Sequence, residues 1–97
     1  MRIRTKSILS ATNTGTLTPE HLRPLIGLCE TGHLQEAEFA FGRLIKAFPT
    51  HAPLLNIGGV IYSRLQAFGN AVDCFRRSLT LQPDVAATHS NLGNALL

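Results

Sequence analysis

The chain has 97 residues, 44% of them hydrophobic and 15% charged, which allows one domain with a modest core and leaves little room for a deep catalytic cavity as well. Its net charge of +3 resides in Arg2, Arg4 and Lys6, and from Ser7 onward six basic residues balance six acids, so no basic groove for nucleic acid is expected. No apolar run approaches the ~20 residues that span a membrane, and Cys29 and Cys74, 45 residues apart without a CxxC or CxxH, are read as reduced thiols of a cytoplasmic protein.

Residues 1–16 join three cations to Ser, Thr and Asn with no acid, and are read as a flexible basic tail. Their only apolar pair, Ile8-Leu9, is too short for a secretory core. Thr18-Pro19-Glu20 then opens a helix: Thr18 is suited to the N-cap, Pro19 to the first position where a missing N–H is harmless, and Glu20 to the positive helix end. Leu22, Leu25, Ile26 and Leu28 carry that helix onward, with Pro24 close enough to its start to be tolerated. Thr31-Gly32-His33 is a turn in which Gly32 suits a left-handed cap. A second helix from Leu34 to Phe48 places Ala37, Phe41, Leu44 and Ile45 on one face, and Pro49 closes it. The stretch from Ala52 to Val85 repeats the design, with Leu55, Gly59 and Tyr62 on one helix, Ala71, Phe75, Ser78 and Leu79 on the next, and Pro83 as the stop.

An offset of 34 residues makes the repetition explicit: Pro19 matches Pro53, Ala37 Ala71, Phe41 Phe75, Arg43 Arg77 and Pro49 Pro83. A third copy starts at Ala86, with Gly93 at the place of Gly59 and Leu96 at that of Tyr62. The segments 18–51, 52–85 and 86–97 thus form two and a half units. Leu55, Gly58-Gly59, Tyr62, Ala71, Phe75, Ser78 and Pro83 together resemble the 34-residue pattern of the tetratricopeptide repeat family. His89, Leu92-Gly93 and Leu96 fit the same pattern, while the first unit departs from it with Pro24-Leu25 and Leu44. The resemblance covers Thr18 to Leu97 and implies an all-α, right-handed superhelix of stacked helical hairpins with five helices over residues 17–97. Gly59 and Ala71 are expected to let helices approach closely, Phe75 to fill the space between units, and Gly93 to recur for the same close packing. The expected core is Leu25, Leu28, Ala37, Phe41, Leu55, Tyr62, Ala71, Phe75 and Leu79.

Nothing in the sequence assembles a reaction centre. HExxH, GxSxG, a phosphate-binding loop and a dinucleotide fingerprint are all missing, and Glu36 and Glu38, two residues apart, face different sides of a helix. His21 and His89 share one unit position and are expected to be half-buried packing residues rather than ligands. The reading is therefore a non-catalytic scaffold without metal or cofactor, binding a protein or peptide.

In the repeat family the first helix of each unit lines a concave face, and the resemblance places Leu22 and Ile26, with Cys29 and Glu30, there from the first unit. Asn56, Val60, Ser63 and Arg64 follow from the second, and Ser90 and Asn94, with Leu97, from the third. The lysine-based clamp for acidic peptide tails is not matched, since Leu22, Asn56 and Ser90 occupy its position, and the asparagine ladder of glycosyltransferase relatives is matched by Asn91 alone. The apolar end at Leu92, Ala95, Leu96 and Leu97 leaves two further expectations: that the chain is the leading part of a larger repeat-containing sulfotransferase or glycosyltransferase, or that two copies pair through helix 86–97.

Overall fold

A computed structural model describes residues 17–97, and the tail expected over residues 1–16 lies outside them. The described residues form five α-helices and no strand: α1 (Pro19–Glu30), α2 (Leu34–Ala47), α3 (Ala52–Arg64), α4 (Phe68–Leu81) and α5 (Ala86–Leu96). Thr18 stands at the N-cap of α1 with Pro19 inside, and Pro24 is accommodated without ending the helix. Successive helices pack on one another, and the first helices of neighbouring hairpins, α1 with α3 and α3 with α5, also touch. The result is an elongated row measuring 55 × 29 × 18 Å.

The turns repeat as the helices do. Gly32 N donates to Cys29 O and His33 N to Leu28 O at the end of α1, and 34 residues on Gln66 N donates to Ser63 O and Ala67 N to Tyr62 O at the end of α3. These paired bonds form the left-handed helix stop that satisfies otherwise orphaned carbonyls. Gly32 takes it with φ of +83° and Gln66, although it carries a Cβ, with φ of +64°.

Two aromatic seats hold the hairpins together. Phe41 of α2 lies on Gly58 and Phe75 of α4 on Gly59, so that a Cβ on either glycine would fall within 3.0 Å of three ring atoms. Adjacent glycines on α3 thus admit one ring from the preceding unit and one from their own. Gly93 does not repeat this packing, because nothing lies within 4 Å of its would-be Cβ. The face of α5 that corresponds to the Phe75 seat is uncovered, and Leu96 beside it is 57% exposed.

Leu25, Ala37, Phe41, Leu55, Ala71 and Phe75 are buried as expected, whereas Leu28, Tyr62 and Leu79 are only half-buried. Leu54 and Ile61, both completely buried, join them, because α3 is covered by α2 and α4 and by the flanking first helices as well. Tyr62 meets Phe41 edge-to-face, with ring centroids 6.0 Å apart.

Candidate functional site

The seams between first helices are closed by polar side chains that sequence position alone assigns to ligand binding. The Arg64 guanidinium on α3 donates 2.8 Å to Cys29 O at the end of α1, a bond that places a cation against a helix C-terminus. Asn91 Nδ2 on α5 donates 3.2 Å to Asn56 Oδ1 on α3. Asn56 and Arg64 therefore each have a neighbour within the protein. His51 works on both sides of its ring: Nδ1 accepts from Leu54 N at 3.1 Å, capping α3, which leaves Nε2 as the donor to Leu17 O at 3.0 Å. This bond ties the chain entering α1 to the start of α3.

A cavity of about 390 Å³ opens between the N-terminal halves of α1, α3 and α5, and its wall is mostly apolar. Leu22 and Ile26 come from α1, Asn56 and Ile57 from α3, and Thr88 from α5. Three of the eight residues assigned to the binding face therefore meet here. Leu22 is a correction in kind: at 6% exposure it belongs to the core and forms the groove floor, so Ile26, 38% exposed, is the accessible apolar contact on α1. Val60, Ser63 and Arg64 lie further along α3, and Ser90 and Asn94 are exposed on α5; none of the five lines the groove.

Ile57, Thr88 and His51 border the groove without having been assigned to it. Thr88 is 1% exposed, and its hydroxyl has no hydrogen-bond partner among the described residues. Ser78, also buried in the wall, donates 2.8 Å to Ala52 O and so holds the end of α4 against the start of α3.

The histidines are not packing residues. His21 and His89 are exposed; His21 Nδ1 accepts from Thr18 N at 3.1 Å, and His89 Nε2 donates to Pro83 O at 2.7 Å. His21 thus satisfies backbone at the start of its own helix, and His89 ties α5 to the connection that precedes it. Among the described residues no three His, Cys, Asp or Glu side chains converge on a point that could hold a metal ion. Cys29 and Cys74 are free and buried. Burial pushes the Cys74 thiol up to about 11, with Asp73 adding to the effect and Arg77 opposing it. Burial also raises Cys29, against the influence of Arg64. Thiols held protonated in this way are poor nucleophiles. No helix among the described residues is long and apolar enough to cross a membrane.

The chain matches no protein-family model, no curated protein and no solved structure, so its function has to be read from its own residues.

Proposed function

We propose that this chain is a tetratricopeptide-like repeat scaffold of the cytoplasm that binds a peptide along the first helices of its units. The observation that carries the reading is the open apolar groove between α1, α3 and α5, with Ile26 and Ile57 on its walls and the Asn56 amide at its edge. Apolar walls supply the driving force, and a few polar groups fix orientation. The 34-residue recurrence of the turn bonds and the aromatic seats on α3 support the repeat architecture. The ligand class that fits is an extended segment with spaced apolar side chains, whose amides reach Asn56 while its side chains enter the groove.

The test is a titration of the labelled protein with a panel of such peptides, followed by amide shifts. Binding peptides should move Ile26, Asn56 and Ile57 first, and Ile26→Asp should abolish their binding while leaving the circular dichroism spectrum unchanged. Shifts confined to another face, or binding indifferent to Ile26→Asp, would refute the reading.

A further inference from the structure

The fold makes no use of the buried hydroxyl of Thr88. Thr31, at the end of α1, and Thr80, within α4, each donate to the carbonyl four residues back, at 2.8 and 2.9 Å. For Thr88 that carbonyl belongs to Asp84, which precedes α5, and no such bond is made. Leu54, the counterpart of Thr88 one repeat earlier, is completely buried, so an apolar side chain serves at this position and packing does not call for a hydroxyl. A buried hydroxyl without a partner costs free energy, and that cost vanishes once a ligand brings a polar group to it.

The groove around Thr88 is neutral, for no Asp, Glu, Lys or Arg lines it. Of its polar side chains, His51, Asn56 and Ser78 already have partners within the chain. Gln82, at the end of α4, and Thr88, at the start of α5, have none among the described residues. The cavity is therefore apolar on the side of Ile26 and Ile57 and holds its uncommitted hydrogen-bonding groups on the side where α4 passes into α5. Resting on the peptide-binding reading of this groove, we propose that the bound segment sets a side-chain carboxamide, Asn or Gln, against Thr88 and Gln82, with aliphatic neighbours on Ile26 and Ile57. A carboxamide carries both a donor and an acceptor, which the Thr88 hydroxyl and the Gln82 amide can each match. A carboxylate or ammonium at the same place would give up its water without a counter-ion. An aliphatic side chain would leave Thr88 as unpaired as it is in the empty groove. The two unlike sides also fix which way the segment runs.

The test titrates the full chain, by calorimetry, with short capped peptides that are identical except for Asn, Leu or Asp at one position beside two isoleucines. The Asn peptide should bind ~10-fold or more tightly than the Leu and Asp peptides. Thr88→Val, which exchanges the hydroxyl for a methyl group, should bring the Asn and Leu peptides to within ~3-fold of each other, and Thr88→Ser should keep the preference. Urea unfolding without peptide should show Thr88→Val no less stable than the parent, because the fold loses no hydrogen bond; a lower midpoint would place the hydroxyl in an internal bond and overturn the proposal. Binding that Ile26→Asp abolishes, but that ignores both the varied residue and Thr88→Val, would overturn the carboxamide site alone. Binding untouched by Ile26→Asp, or no binding by any of the peptides, would remove the groove reading and this proposal with it.

Discussion

The same substitution, glycine to alanine, should have opposite signs at two places 34 residues apart. At Gly59 the new Cβ would lie 2.6 Å from Phe75 Cζ, with two further ring carbons nearer still, whereas ordinary contact begins at 3.4 Å. The ring would therefore have to move by about 0.8 Å or more. Phe75 is 1% exposed, so the shift has to be taken up within the core. Overpacking costs ~1–3 kcal/mol, and overlap with three ring atoms places Gly59 in the upper part of that range, at ~2–3 kcal/mol, of which the ~1 kcal/mol that alanine gains over glycine in a helix offsets only part. At Gly93 nothing lies within 4 Å, and only the helix-propensity gain remains. Urea unfolding followed by circular dichroism should show Gly59→Ala destabilised by ~1–2 kcal/mol and Gly93→Ala stabilised by up to ~1 kcal/mol. Thermal midpoints should separate accordingly, at ~4–8 °C per kcal/mol for a domain of this size. Equal effects at the two glycines, or a Gly59→Ala protein as stable as the parent, would refute the seating of Phe75 on α3.

Phe75→Ala should cost ~3–5 kcal/mol, a large share of the ~4–12 kcal/mol expected for residues 17–97; a melting curve unchanged from the parent would contradict the packing. Gln66→Gly should stabilise the protein by ~1 kcal/mol, because Gln66 holds φ of +64° and glycine relieves the clash of its Cβ; a lower urea midpoint would show that the Gln66 side chain contributes something else. Cys74 should resist alkylation at pH 8 in the folded state and react on unfolding. Its folded-state value of about 11 lies above the ordinary 9.0, so the native state holds the proton more tightly. The associated stability is complete below pH 9 and is lost as pH rises toward 11, and a Cys74→Ala protein should lose less over that window.

The helices were legible because their punctuation is written in residues with stiff or permissive backbones. Pro19, Gly32, Pro49, Pro53 and Pro83 mark starts and stops that hold within a residue or two. Gln66 was not legible from its own identity, since nothing about glutamine announces a left-handed turn; only its place 34 residues after Gly32 does. The stripe expected on α3 missed Leu54 and Ile61 because periodicity assumes one buried face, and this helix is enclosed on several. Gly58 stands where leucine is usual in the repeat pattern, and the ring it makes room for, Phe41, comes from the preceding unit, which nothing in the residues around Gly58 signals. Of the residues that unit position assigned to the binding face, Ile26 and Asn56 line the groove together with Leu22, which is buried rather than accessible. Position within a repeat gives the side of the helix, and it does not say how deeply that side is covered. Arg64 and Asn56 looked like ligand contacts because both are polar residues on that side; their neighbours lie 35 residues away, one step off the repeat, where an offset comparison does not look.

A row of helices bends at its seams, and here the seam at Asn56 borders the groove while the one at Arg64 lies further along α3. The Arg64 to Cys29 bond joins α1 to α3, and the Asn91 to Asn56 bond joins α3 to α5. A segment wedged between Ile26 and Ile57 would press on the first seam, and one that took the Asn56 amide would compete with the second. If the proposed peptide occupies the groove, its occupancy and the curvature of the row should change together. Dyes placed on α1 and α5 would read that curvature as an end-to-end distance.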